Sequence, residues 1–202
     1  MNNKPKYNPN KHHRRSIRLK GYDYSQEGLY FITICCQNRI WRFGEIINGE
    51  MLLNEFGEIA YNEWIKLTER FPNFELDVFQ IMPNHMHGII VLKDVGATLA
   101  VALNDSDDLN GAGASPARTI LEISIAQINS NSPSVSDMVG AYKSLVANAC
   151  LSIYKLNNER MGKLWQRNYY EHIIRNEQSY INISNYIINN PSKFTEDKFY
   201  KK

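Results

Sequence analysis

The 202-residue chain has little that would hold it together covalently or anchor it in a membrane. Its three cysteines, Cys35, Cys36 and Cys150, include an adjacent pair, so they make no disulfide framework and fit a reducing cytoplasm. No apolar run approaches the ~20 residues of a membrane-spanning helix, and the opening Met1-Asn2-Asn3-Lys4 lacks the apolar segment of a secretory signal. The expectation is a cytoplasmic protein with no membrane partner. Histidine is scarce, at five residues. One stretch lacks acid altogether: residues 1–22 carry seven lysines and arginines and no aspartate or glutamate. The remainder holds 16 basic against 21 acidic residues. A concentrated basic arm on a mildly acidic body is the charge pattern of a polyanion-binding tail, with a solubilising terminus as the plainer alternative.

With 43% hydrophobic residues the chain buries a substantial core as one domain. The expected division is an arm over 1–22 and a single domain over 23–202, interrupted by an insertion at about 94–133. That insertion is rich in Ala, Ser, Asn, Asp and Gly, holds five acids against Arg118 alone, and includes the low-complexity run 111–117.

Two of the five histidines stand at a spacing that chemistry can use. His85 and His87 lie between the short β-branched runs 78–81 and 89–92, which places them in a buried strand. A strand's period of two puts both on one face, roughly 6.5 to 7 Å apart at the backbone, so both rings reach a single ion while Met86 points away. Such a pair suits several divalent transition metals, with open positions left for substrate oxygens. The plainer alternatives are histidines satisfied by backbone carbonyls or an incidental surface pair. A closed zinc site would need two more ligands, and of Cys35 and Cys36 at most one faces the pair.

The remaining elements follow from turn and cap chemistry. A strand is expected over 29–36, then a hairpin over 43–53, whose Asn48-Gly49 supplies positive φ angles. Asn54 caps a helix to about Arg70, and strands follow over 75–81 and 86–93. Ser134 opens a capping box for a helix to about Tyr154. A strand is read over 168–175, with Arg167 and Arg175 as basic residues at its ends. Asn176 caps a last helix ending before Pro191, with Tyr180, Ile183 and Ile187 as its apolar stripe. Tyr186 sits about a quarter-turn from that stripe, and Asn190 stands one turn beyond it on the same side.

The segments 83–88 (PNHMHG), 164–175 (LWQRNYYEHIIR) and 186–191 (YIINNP), in that order, resemble the motifs of the REP-associated tyrosine transposases, a branch of the single-tyrosine HUH endonucleases. The start, over 14–19 and 28–35, is similar too. The resemblance covers most of the chain outside the insertion. It implies cleavage and rejoining of single-stranded or hairpin DNA with Tyr186 as nucleophile, through a 5′-phosphotyrosine link. His85 and His87 would hold Mg²⁺ or Mn²⁺, with Asn190 as third ligand and open to solvent. Insertion-sequence relatives carry glutamine where this chain has Asn190, which points to the REP-associated branch. No residue announces itself as general base. The DNA contacts expected are Arg14, Arg15, Arg18, Lys20, Arg167 and Arg175, in a monomer or homodimer. The expected fold is α+β, a ferredoxin-like or RRM-like antiparallel sheet of four to five strands, with two helices on one face and the Tyr186 helix near the other. Two alternatives from other classes are a non-catalytic RRM-like nucleic-acid-binding protein and a metallohydrolase using activated water.

Overall fold

A computed structural model of the chain describes residues 21–93 and 132–200. The expected arm and insertion lie almost wholly outside the described residues, and so do Arg14, Arg15, Arg18 and Lys20.

Four strands form an antiparallel sheet: β1 (Gly28–Cys35), β4 (Phe74–Met82), β5 (His85–Leu92) and β6 (Tyr170–Ile174), in the order β4-β5-β1-β6. β1 pairs with β5 on one side and β6 on the other, so among the described strands the first is central and the last is an edge. Helix α1 (Glu55–Ile65) and the short α2 (Leu67–Arg70) lie between β1 and β4, and α3 (Val135–Leu156) lies between β5 and β6. This is the ferredoxin-like βαββαβ order. A separate ribbon, β2 (Gly44–Ile47) and β3 (Glu50–Leu53), turns through Asn48 and Gly49 at φ of 53° and 81°, as a two-residue hairpin requires.

Alternation along the strands sorts the chain onto two faces. Tyr30, Ile32 and Ile34 of β1 and Met86, Ile90 and Leu92 of β5 face α1 and α3, where they meet Ala60, Trp64, Met138, Tyr142 and Val146. The Tyr142 hydroxyl donates to the Ala60 carbonyl at 3.0 Å, so this buried polar tip is satisfied. Gly88 belongs to this packing: a Cβ there would come within 2.9 Å of the Trp64 indole, so the indole rests on bare backbone. The opposite face carries a smaller cluster of Ile89, Ile174 and Ile187, the last from α4 (Glu177–Asn189).

The caps fall where the sequence puts them. Asn54 accepts from the Gly57 amide, Asn176 from the Ser179 amide, and Ser134 with Asp137 completes its capping box. Most strand ends fall within a residue of expectation, and three features differ by more. The expected helix 54–70 breaks at Lys66, whose backbone still lies near the helical region, and resumes as α2. The strand read over 168–175 begins at Tyr170; upstream, Trp165 makes only an isolated bridge to Cys36. A 3-10 turn over Gln37–Arg39, with Asn38 and Arg39 at positive φ, follows β1 without a glycine to announce it.

Candidate functional site

His85 and His87 leave β5 on the face that α4 covers, and each ring is held from behind. The Asn84 side-chain amine donates to the carbonyls of Arg39 and Phe199, at 3.2 and 3.0 Å, which turns its Oδ1 toward His85 Nδ1 at 2.7 Å. That oxygen only accepts, so His85 carries its proton on Nδ1 and leaves Nε2 bare. Thr33, directly opposite His87 across the β1–β5 pair, sets Oγ1 2.8 Å from His87 Nδ1. The two Nε2 atoms then face each other at 3.0 Å.

Both imidazoles are fully buried, which departs from the solvent-open ligand site expected from sequence. Phe31, Tyr186 and Phe199 enclose them, with ring centroids 5.1 to 5.6 Å from His87. Burial favours the neutral ring, so both pKa values are pushed below the usual histidine range. The neighbouring His87 lowers His85 further, while Asp197 opposes the fall at His87.

From α4, the Tyr186 hydroxyl comes within 3.2 Å of His87 Nε2 and donates to Asp197 Oδ2 at 2.6 Å. Asn190, one turn on, donates its Nδ2 to the same carboxylate oxygen at 2.6 Å. Asp197 follows the 3-10 turn Phe194–Glu196, and its other oxygen accepts from the Phe199 amide at 2.6 Å. Burial alone would raise the Asp197 pKa. His87, Tyr186, Asn190 and the Phe199 amide together hold it well below the usual carboxylate range. Burial and the Asp197 bond in turn push the Tyr186 phenol up, so its proton stays on oxygen, aimed at the carboxylate. Beside Tyr186 opens a cavity of about 330 Å³ lined by Asn182, Asn185, Asn189, Asn190 and Lys193.

The residues present fit a divalent cation. His85, His87 and Asp197 place one ligand atom each within 4.8 Å of one another. The 3.0 Å between the two Nε2 atoms is close to what two adjacent ligands about 2.1 Å from one octahedral ion would show. Asn190 Oδ1 is buried with no hydrogen-bond partner, an acceptor left for something else. Cys35 faces the histidine side opposite His85, and burial raises its thiol to about 11, which disfavours a thiolate ligand. Cys36 lies in the core on the other face.

Comparison with known proteins bears on the whole arrangement. No family model matches the chain. An uncharacterized protein of Haemophilus influenzae is 40% identical over 196 residues, covering 96% of this chain and 97% of that one. The chain belongs to that protein's family. Among solved structures, a REP-associated tyrosine transposase bound to a REP hairpin superposes with a TM-score of 0.53 at 22% identity, over 90% of this chain and 76% of that one. The fold is therefore that of a REP-associated tyrosine transposase, as the motifs led one to expect.

Of the residues singled out in the sequence, this fold gathers His85, His87, Tyr186 and Asn190 at one point. Arg167, three residues before β6, and Arg175, just after it, sit exposed outside that point. Sequence reasoning missed Asp197, Thr33 and the role of Asn84. Asp197 stands eleven residues past Tyr186, beyond a proline, where no helical or strand period reaches it. Thr33 needed only the strand register, because the residue paired with a strand histidine is its natural second partner.

Proposed function

We propose that this protein is a transposase-like endonuclease that cleaves and rejoins single-stranded DNA at hairpin sites, with Tyr186 as nucleophile. The observation that carries this reading is the 3.2 Å approach of the Tyr186 hydroxyl to His87 Nε2 inside a donor set suited to a divalent ion. His85, His87 and Asp197 would hold Mg²⁺ or Mn²⁺, with Asn190 Oδ1 as the remaining oxygen donor. The bound ion would polarise a non-bridging phosphate oxygen and stabilise the charge developing there.

The chain's own groups do the rest. Tyr186 Oη forms the bond to phosphorus, and the bond from phosphorus to the 3′ oxygen breaks. That oxygen leaves as a 3′-hydroxyl after taking a proton from water, and the 5′ side stays on the enzyme as a phosphotyrosine. The phenolic proton already points at Asp197 Oδ2, the nearest acceptor, which supplies the base the sequence did not announce. Asn84 and Thr33 orient the two imidazoles from behind. Because the phosphodiester is exchanged rather than hydrolysed, the free 3′-hydroxyl can reverse the step and rejoin strands without ATP. Nucleophile and imidazoles come from one copy of the chain, which supports a monomer acting in cis. The arm over 1–22 and Arg167 and Arg175 would supply phosphate contacts.

The test is incubation with an end-labelled hairpin oligonucleotide and Mn²⁺, followed by a denaturing gel. A protein–DNA adduct that Tyr186→Phe removes supports the transposase reading. Cleavage without adduct points instead to a metallohydrolase, and binding without cleavage to a nucleic-acid-binding module.

A further inference from the structure

The edge strand β6 carries a second feature on the site face that the cleavage chemistry does not use. Tyr170 pairs with Thr33 and His172 with Phe31, so both project on the face that carries His87. Helix α4 lies chiefly across β4 and β5 and meets β6 at Ile174, short of Tyr170 and His172, which stay exposed. Tyr170 is 42% exposed and His172 is exposed beside it. Exposed rings on an edge strand bury only part of their area, and a strand's two-residue repeat of about 6.5 to 7 Å places them as successive stacking surfaces.

The lane has two defined ends. Toward the site, Tyr170 touches Phe199 at a centroid distance of 5.6 Å, and Phe199 touches His87 at 5.6 Å. Away from it, His172 and Arg175 line a cavity of about 430 Å³ with Tyr24, Asn176, Ser179 and the acid Glu171. Glu171 pairs with Ile32, so its side chain belongs to the other face of the sheet. Arg175 directly follows β6 and Arg167 lies three residues before it, and both are exposed. The basic arm joins the described chain at Gly21, close in sequence to Tyr24 at the cavity. Aromatic faces flanked by cations that lead toward a nucleophile match single-stranded DNA, whose bases stack and whose phosphates are anionic.

We propose that β6 is the track for the single-stranded flank of the DNA, with Tyr170 and His172 stacking successive bases and Arg167 and Arg175 holding the phosphates at either end. This rests on the reading of Tyr186 as the nucleophile toward single-stranded DNA. It adds a recognition surface separate from the histidine pair.

The experiment compares two probes on the full chain by fluorescence anisotropy: a blunt hairpin, and the same hairpin with a single-stranded flank of about four nucleotides. Tyr170→Ala and His172→Ala are each expected to weaken the flanked probe about five- to hundredfold and to move the blunt probe by less than about twofold. Tyr170→Phe keeps the ring and is expected to bind the flanked probe like the parent. 2-Aminopurine placed in the flank is expected to be quenched by the parent and by Tyr170→Phe, and not by Tyr170→Ala. Equal weakening of both probes, or none on the flanked one, overturns the proposal. Should Tyr170→Ala fail to fold, His172→Ala and the 2-aminopurine signal with Tyr170→Phe decide it alone. Adduct formation is scored in parallel. Adducts with flank binding indifferent to both rings sink the track alone, whereas ring-dependent flank binding without any adduct sinks the nuclease reading and leaves the track.

Discussion

The two faces of the central sheet differ in kind. The face under α1 and α3 is chiefly apolar and holds Trp64, Tyr30 and Tyr142 among aliphatic neighbours. The face under α4 has three fully or nearly buried isoleucines as its apolar anchor, and beyond them a polar assembly of His85, His87, Asp197 and Asn190. One face stabilises by area, the other by pairing donors with acceptors in a place that water scarcely enters. A buried polar assembly contributes little net stability and is costly when half-satisfied. The comparison therefore separates residues that keep the chain folded from residues proposed to carry its chemistry.

The sharpest way to break the separation is Tyr186→Phe. It removes one oxygen on a residue 39% exposed, so stability is expected to stay within about 1 kcal/mol of the parent. Covalent adduct is expected to vanish, a loss of at least about a thousandfold. Persistent adduct would pass the role to another phenol, with Tyr180, whose hydroxyl donates to Asp77 at 3.0 Å, first in line.

Next comes the reverse case, Trp64→Ala on the other face. The side chain is fully buried against Phe74, Phe79 and Tyr142, and its loss is expected to cost about 3–5 kcal/mol in urea unfolding. A cost below about 1 kcal/mol would mean that α1 is not seated as described.

Acid should then expose the polar face. The folded-state pKa values of His85 and His87 are lowered from 6.5, so below that pH the unfolded chain binds protons that the folded chain refuses. Stability in chelator is thus expected to fall as pH drops from 7 to 5, by at most about 1.4 kcal/mol per pH unit for each imidazole. Asp197 does not enter this window, because its pKa is lowered from 3.8 and its contribution is lost only at still lower pH. Replacing both histidines by leucine should flatten the slope. An unchanged slope would assign the acid sensitivity to other groups.

The smallest effects make the finest comparison. Ser134→Ala and Asn176→Ala each remove an N-cap, of α3 and α4, and each is expected to cost about 1 kcal/mol in thermal or urea unfolding. Only the second sits on the helix that carries Tyr186. Adduct formation is expected to drop measurably for Asn176→Ala and to stay level for Ser134→Ala once both are assayed well below their unfolding midpoints.

The same division explains what was legible in the sequence. The apolar face writes itself as periodicity, so β1, β5, α3 and the stripe of α4 were readable within a few residues, and their caps to the residue. The site was half legible. His85 and His87 share a face by simple alternation, and Tyr186 and Asn190 share a side of one helix. Their mutual approach is a matter of how α4 crosses β5, which no local pattern encodes. Asp197 lies in a segment without regular structure, held by bonds to Tyr186, Asn190 and the Phe199 amide, so only the assembled fold reveals it. The burial of the histidines was misread for a related reason: Phe199, which lies over both rings, belongs to that same segment.

The bond from Asn84 to the Phe199 carbonyl spans 115 residues, and it sets a clock. At the roughly 5 to 20 residues per second of synthesis, the histidine pair is made about 6 to 23 s before the residue that closes the site. The growing chain can complete β1, β4 and β5 in that interval. Tyr186 and Asp197 come only near its end, so a nascent chain carries the imidazoles with neither the phenol nor the carboxylate beside them.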